Sequence, residues 1–120
     1  LEHIDLRHPT KIGVLSARIG SISDNQLGGW HSYRASKAAL NMLVKNIAIE
    51  LERKRARTRI VAMQPGTTDS RLSQPFQRNL PPGQLQTPDF TANCLIDVLK
   101  QLPAEHNGLL VDFTGQVIPP

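Results

Sequence analysis

The sequence is poor in the residue types that mark several large classes of protein. Cys94 is the only cysteine among 120 residues, which excludes an internal disulfide and a cysteine-based zinc site. No run of 18 apolar residues occurs, so we predict no transmembrane helix and no membrane partner. The first residues lack the charged-then-apolar pattern of a secretory signal. These absences favour a cytoplasmic, reducing setting and one globular domain or part of one.

Aromatic residues make up only 4% of the chain, and its four histidines are scattered without ligand spacing, so we predict no metal site. The formal net charge is +4, and the densest basic run, at 53–59, holds five cations. Nucleic-acid binding is one interpretation of this run. We prefer another, because cations suit the negative end of a helix and few aromatics accompany them for base stacking. Nucleic acid is therefore not expected as a partner.

Apolar runs and helical periodicity alternate along the chain, which is typical of an α/β fold. Ser32 is the predicted N-cap of the first helix, and Thr87 that of the second, with Pro88 at its first helical position. The predicted elements are strands at 11–15, 59–63 and 109–112, helices at 31–54 and 88–102, a loop at 67–88 and a tail at 114–120.

The order strand, helix, strand, helix, strand predicts a parallel sheet with right-handed crossovers. In such sheets, ligands bind at the carboxyl ends of the strands. The segments that follow the first two strands are 16–21 and 65–70, and Tyr33 and Lys37 lie near the start of the first helix. We therefore expect these three segments to meet at one edge of the sheet.

Tyr33, the only tyrosine, stands four residues before Lys37, which places both side chains on one helical face. A phenol is a poor proton donor or base at neutral pH unless a nearby cation favours the phenolate. A Tyr-x-x-x-Lys pair on a helix is therefore a workable proton-transfer device. The alternative is an ordinary surface pair, because so short a pattern has many chance matches.

A longer pattern surrounds this pair. The run Ser-Lys-Ala-Ala-Leu-Asn at 36–41 follows the tyrosine, and further matches are Gly20-Ser21, Asn25, Gly28-Gly29-Trp30 and Pro65-Gly66. The pattern resembles the short-chain dehydrogenase/reductase family, most closely its branch of C-factor (cell–cell signalling) and sniffer-type carbonyl reductases. The resemblance covers nearly the whole chain.

The resemblance implies roles for the matching positions. Tyr33 would be the general acid and base, and Lys37 would hold the nicotinamide ribose and favour the phenolate. Ser70 stands where the family usually has a threonine near the carboxamide of the cofactor. The implied cofactor is NAD or NADP, and the predicted cofactor-binding residues are Lys37, Pro65, Gly66, Thr68 and Ser70.

The chain departs from the family at the catalytic serine, which normally lies three residues before the glycine of the loop after the first strand. That glycine is Gly20, so the position is occupied by Ala17. Ser16, one residue earlier, and Ser21, just after the glycine, both remain candidates to orient a carbonyl, with Ser16 ranked first. Capping of the loop is the alternative role for both serines.

A second departure is that no Gly-x-x-x-Gly-x-Gly phosphate loop follows a strand, and Gly28-Gly29 has the wrong spacing and position for one. The chain therefore resembles the C-terminal half of a Rossmann-like, doubly wound parallel sheet. We expect about three strands and two main helices in a single partial domain, residues 1–120. Alone, this fragment is expected to bind dinucleotide weakly and to be inactive.

The preferred hypothesis is an NAD(P)-dependent oxidoreductase that transfers hydride to or from a small carbonyl or alcohol. A non-enzymatic signalling protein of C-factor type is the alternative, and a basic binding module ranks last. The 31–54 helix is apolar over most of its circumference, so we also predict a homo-oligomer formed through it.

Overall fold

Strands and helices alternate in the computed structural model, which describes residues 2–120. The predicted α/β class is confirmed, and the observed ends lie within two residues of the predicted ones. The elements are β1 (Thr10–Leu15), α1 (His31–Arg53), β2 (Thr58–Gln64), α2 (Pro88–Lys100), β3 (Leu110–Asp112) and β4 (Val117–Ile118). Short 3-10 turns at Arg18–Gly20, Gln74–Phe76 and Ala104–His106 lie between them.

The four strands form one sheet in the order β1-β2-β3-β4. The first three are parallel, as predicted, with Ile12 opposite Ile60 and Met63 opposite Val111. Their parallel pairing places the carboxyl ends of β1 and β2 at the same edge of the sheet. This edge receives the loops that the sequence singled out.

The prediction of a tail at 114–120 is wrong, because a fourth strand lies there beside the about three that were predicted. β4 pairs antiparallel to β3, with Val117 opposite Val111. The Asp112 carboxylate turns the chain by accepting hydrogen bonds from the backbone N–H groups of Thr114 (2.9 Å) and Gln116 (3.0 Å). Gly115, at φ 88°, completes the reversal, because glycine adopts this backbone conformation without steric cost.

The core lies on both faces of β2, since successive side chains of a strand point in opposite directions. Ile60 and Ala62 pack towards α1, whereas Val61 and Met63 pack towards the α2 side. A strand covered on both faces reads as a continuous apolar run, which is why β2 was visible in the sequence. The residues that cover it are Val44, Ala48 and Leu51 from α1, and Leu95, Val98, Leu99 and Leu102 on the other side.

The predicted N-cap of α1, Ser32, is wrong, because the helix already begins at His31. The cap residue is Trp30, which has a left-handed conformation at φ 53° and follows Gly28 and Gly29 at φ 65° and 70°. For α2 the prediction is confirmed, since the Thr87 side chain accepts a hydrogen bond from the Phe90 N–H at 3.2 Å.

Neither helix within residues 2–120 combines the length and the apolarity needed to cross a lipid bilayer. In the same residues, no group of three or more histidine, cysteine, aspartate or glutamate side chains is placed to hold a metal ion.

Candidate active site

A cavity of about 950 Å³ opens beside the carboxyl ends of β1 and β2 and the start of α1. The loops after β1 and β2 both line it, as does the first turn of α1. The three segments expected to meet at this edge therefore do so. Of the residues that the sequence singled out, Ser16, Ala17, Tyr33, Lys37, Pro65, Gly66, Thr68 and Ser70 line the cavity, and Ser21 does not.

Tyr33 and Lys37 lie one turn apart on α1 and both line the cavity. The Lys37 Nζ atom is 5.8 Å from the centroid of the Tyr33 ring, so the cation lies over the aromatic face. Tyr33 is 43% exposed. Within residues 2–120, Lys37 has no carboxylate partner. The pair thus offers a hydroxyl and an unneutralised cation to a molecule in the cavity.

Gly20 sets how closely the loop after β1 approaches α1. A Cβ atom at this position would lie 2.7 Å from the Lys37 carbonyl carbon and 2.8 Å from the Lys37 Cβ. These atoms belong to a helix and have little room to move, so a side chain here would push the loop and α1 apart. Gly20 thereby fixes the position of Lys37 relative to Ser16 and Ala17.

Arg34 holds together the loop that leads into α1. Its guanidinium donates to the carbonyl oxygens of Gly29 (3.0 Å), Gly28 (3.1 Å) and Ile19 (3.4 Å). Three successive left-handed residues cannot continue a hydrogen-bonded helix, and Arg34 supplies donors for the carbonyls that this run exposes. This role of Arg34 was not predicted from the sequence.

Trp30 forms an aromatic wall with residues on either side of it. Its ring centroid is 6.4 Å from that of Tyr33 and 5.1 Å from that of Phe76, which belongs to the 3-10 turn in the loop after β2. Leu27 and Leu72 also line the cavity and are 93% and 82% exposed. An apolar surface therefore extends from the tyrosine to the mouth of the cavity.

The hydroxyls of both candidate serines are engaged within the protein. Ser16 is buried and donates to Asn41 Oδ1 at 2.6 Å. Ser21, also buried, donates to the carbonyl oxygen of Pro119 and accepts a hydrogen bond from the Asp24 N–H at 3.1 Å. Ser16 is the one that lines the cavity, and Ala17 beside it carries no hydroxyl.

The loop at 65–70 is held by Gln86, a residue that sequence reasoning missed. The Gln86 Nε2 atom donates to the Pro65 carbonyl at 3.2 Å and to Thr91 Oγ1 at 3.1 Å. Thr91 also hydrogen-bonds the Thr68 hydroxyl at 2.8 Å. Gly66, at φ 76°, leaves room for this arrangement, because a Cβ there would lie 2.1 Å from Gln86 Oε1.

A second cation at the cavity, Arg18, is neutralised. Its guanidinium lies 3.5 Å from the Asp24 carboxylate and 3.8 Å from that of Asp112. Its backbone N–H donates to Gln64 Oε1 at 3.1 Å. Gln64, at the end of β2, also lines the cavity and was not singled out from the sequence, although its place directly before Pro65 was a signal.

Comparison with known proteins agrees with this arrangement. The sequence profile of the short chain dehydrogenase family matches residues 17–81, which is more than half of the chain. The chain belongs to the short-chain dehydrogenase family. The resemblance found in the sequence is thus confirmed, and the matched stretch contains Ser21, the Tyr33–Lys37 pair and the 65–70 loop, whereas Ser16 lies one residue before it.

Two curated relatives illustrate the similarity. One is 1-hydroxy-2-glutathionyl-2-methyl-3-butene dehydrogenase from Rhodococcus sp. strain AD45, at 33% identity over 86% of this chain and 43% of that protein. The other is C-signal from Myxococcus xanthus, at 30% identity over 91% of this chain and 60% of that protein. The chain therefore spans about half the length of these relatives.

Solved structures show the same fold. The NADPH-bound carbonyl reductase from chicken fatty liver superposes with a TM-score of 0.76 at 29% identity, over 92% of this chain and 42% of that one. The carbonyl reductase Sniffer of Drosophila melanogaster superposes with a TM-score of 0.78 over 94% of this chain and 44% of its own, and its 24% identity supports the fold alone.

Proposed function

We propose that this chain carries the proton-transfer side of an NAD(P)-dependent oxidoreductase that interconverts carbonyl compounds and alcohols. The observation that carries the proposal is the pair of Tyr33 and Lys37, which lines a cavity together with the 65–70 loop. Membership of the short-chain dehydrogenase family supports it. We propose further that residues 1–120 are one partial domain and that residues outside them hold the cofactor pyrophosphate. The setting proposed is cytoplasmic, with Cys94 as a free thiol.

In the proposed reduction, Tyr33 gives its hydroxyl proton to the carbonyl oxygen of the substrate. A reduced nicotinamide supplies the hydride that the carbonyl carbon accepts. Tyr33 is left as a phenolate, and the Lys37 ammonium over its ring stabilises that negative charge. In the oxidative direction the same phenolate removes the hydroxyl proton of an alcohol, so one residue serves as acid and base.

The residues at the cavity fit the nicotinamide end of a dinucleotide. Lys37 has no carboxylate partner among residues 2–120, so its ammonium is free to donate to ribose hydroxyls. Pro65, Gly66 and Thr68 also line the cavity, and the exposed Ser70 adds a hydroxyl for the carboxamide. The proposed cofactor-binding residues are therefore those that the sequence predicted.

The proposed substrate is a small carbonyl compound with an apolar or aromatic body. Trp30 and Phe76 form a wall beside Tyr33, and Leu27 and Leu72 continue it. Flat apolar groups gain from stacking and from removal of this surface from water. At the cavity, Arg18 is paired with two carboxylates and the Arg34 guanidinium donates to three backbone carbonyls, so the proposed contact surface for the substrate is the apolar wall.

The proposal includes a homo-oligomer formed through α1. Only one side of this helix packs on the sheet, through Val44, Ala48 and Leu51. Large apolar side chains remain exposed elsewhere on it, with Met42 at 61% and Leu43 at 56%. Such a face is stabilised when a second copy covers it.

A second candidate function is non-enzymatic signalling of the C-factor type. It is favoured by the match to C-signal, of which the chain covers a larger share than it does of the dehydrogenase from Rhodococcus. The absence of a serine at position 17 is compatible with either function. The two functions differ in whether carbonyl turnover occurs.

The test is oxidation of NADH and NADPH by the polypeptide produced from the complete reading frame, with a panel of aryl and aliphatic ketones. Its intact mass is measured first, to establish which residues accompany the 120 described. Tyr33→Phe keeps the ring packing and removes the hydroxyl, so we expect a loss of kcat of about a hundredfold or more. Retention of more than about a tenth of the activity would reject the role of Tyr33, and no turnover by the unaltered protein would favour signalling.

A further inference from the structure

The developing negative charge on a substrate oxygen is stabilised by donors that are already in place, and one donor is seldom enough. A serine hydroxyl has a single proton to give. Ser16 donates its proton to Asn41 and Ser21 donates its own to Pro119. Neither serine is therefore free to donate to a substrate, and any second donor beside Tyr33 must come from another side chain.

The orientation of the Gln64 side-chain amide is fixed by a hydrogen bond. Its Oε1 atom accepts from the Arg18 N–H at 3.1 Å. The opposite orientation would set two donors against each other, so the backbone fixes which end of the amide faces Arg18. Within residues 2–120, the Nε2 atom has no protein acceptor, although Gln64 is half-buried and lines the cavity. Two N–H donors thus remain available at the end of the central strand.

Two other donors at the cavity are engaged within the protein. The Thr68 hydroxyl is paired with Thr91 at 2.8 Å, and the Arg18 guanidinium with two carboxylates. Gln64 is also rigidly placed, because it ends a strand that is buried on both faces. Its hydrogen bond from the Arg18 N–H holds its side chain next to the loop that contains Ala17. Donors on rigid elements stabilise developing charge best.

We infer that Gln64 is a catalytic residue whose Nε2–H donates a hydrogen bond to the substrate carbonyl oxygen, together with the Tyr33 hydroxyl. The inference rests on the proposed oxidoreductase function. Gln64 neither gains nor loses a proton; it stabilises the oxygen while Tyr33 transfers its proton and the reduced nicotinamide supplies hydride. Ala17 bears no hydroxyl that would compete for the same oxygen.

The first test needs no cofactor. The ¹⁵N-labelled chain is titrated with acetophenone and, as a matched control, with ethylbenzene, which has a similar shape but no oxygen. We expect acetophenone alone to shift the side-chain amide signals of Gln64, which are assigned by their loss in Gln64→Leu. The same substitution is expected to weaken acetophenone binding about three- to tenfold and to leave ethylbenzene binding unchanged. Equal shifts with both ligands, or no acetophenone shift in the folded chain, would overturn the inference.

The second test is kinetic and uses the polypeptide from the complete reading frame. Gln64→Leu is expected to lower kcat about a hundredfold with little change in KM, since the donor acts on charge that develops in the transition state. Gln26→Leu removes an exposed amide from the cavity rim and serves as the control. Adding Ala17→Ser to Gln64→Leu is expected to recover part of the loss, because it introduces a hydroxyl next to the position that the Gln64 amide occupied.

The outcomes separate the inference from the proposed function. If the unaltered protein turns over substrate and Gln64→Leu keeps full activity, the inference about Gln64 is overturned and the proposed function stands. If Thr67→Val lowers kcat and Gln64→Leu does not, the donor is the Thr67 hydroxyl, and the inference about Gln64 is overturned. If the unaltered protein shows no turnover, the proposed function fails, and the acetophenone titration decides whether Gln64 still binds a carbonyl oxygen.

Discussion

Replacement of Gly20 by alanine probes the contact that sets the geometry of the site. Gly20 ends the 3-10 turn after β1, and the added methyl would lie 2.7 Å from the Lys37 carbonyl carbon and 2.9 Å from the Ala38 nitrogen. An ordinary van der Waals contact begins near 3.4 Å. The turn and α1 must therefore separate by several tenths of an ångström, and both sides of the contact are backbone.

The magnitude follows from two opposing effects. Overpacking of a close contact costs about 1–3 kcal/mol of unfolding free energy. Alanine returns about 0.4–1 kcal/mol, because it restricts the unfolded chain more than glycine does. We expect Gly20→Ala to lower the free energy of unfolding by about 1–2 kcal/mol. With a urea dependence of about 1–3 kcal/mol per molar, the midpoint falls by roughly 0.3–2 M.

The assay is urea denaturation followed by circular dichroism, with Gly13→Ala as the matched control. A methyl at Gly13 would also be close to its neighbours, at 2.6 Å from Met63 Sδ and 3.0 Å from Leu99 Cδ1. These atoms are the ends of flexible side chains that can shift, so the control is expected to lose less stability. The reasoning is refuted if Gly20→Ala leaves the midpoint unchanged, or if Gly13→Ala costs as much.

Two further predictions concern association. At concentrations of tens of micromolar, the chain is expected to sediment as a dimer or larger. Leu43→Glu is expected to make it monomeric, because it places a charge on the exposed face of α1. A monomeric unaltered chain would contradict the proposed interface. These 120 residues alone are expected to bind NAD(P) with a Kd no better than about 1 mM in calorimetry. A few hydrogen bonds at the nicotinamide end cannot offset the cost of immobilising a dinucleotide. Micromolar binding would contradict this and would show that the chain holds a separate phosphate-binding site.

The elements that could be predicted from the sequence are those with a strong period. β2 is apolar and buried from Ile60 to Met63, and the stripe of α1 that packs on the sheet recurs every three or four residues. Once these elements were assigned, the rule that ligands bind at the carboxyl ends of parallel strands predicted that the loops after β1 and β2 meet. Both loops line the cavity. Periodicity and one topological rule thus located the cavity.

Two local features escaped because they depend on side chains that hydrogen-bond to the backbone. β4 has only two residues, too few for a period, and its turn depends on the Asp112 carboxylate. The N-cap of α1 was assigned to Ser32 by cap preference, but the cap is Trp30, at the end of a left-handed run that Arg34 stabilises. Neither interaction follows from residue spacing, because each requires the three-dimensional path of the chain.

The spacing of α1 also explains why a serine after β1 does not have to act on the substrate. Tyr33, Lys37 and Asn41 are four residues apart and so share one helical stripe. Asn41 Oδ1 accepts a hydrogen bond from the Ser16 hydroxyl at 2.6 Å and thereby ties the end of β1 to the stripe that carries the proposed proton donor. In the proposed reaction this hydroxyl serves for position, and the second donor to the substrate comes from a neighbouring element. β2 is that element, since the Ser16 N–H bonds the Met63 carbonyl at 2.8 Å and the next residue of the strand is Gln64.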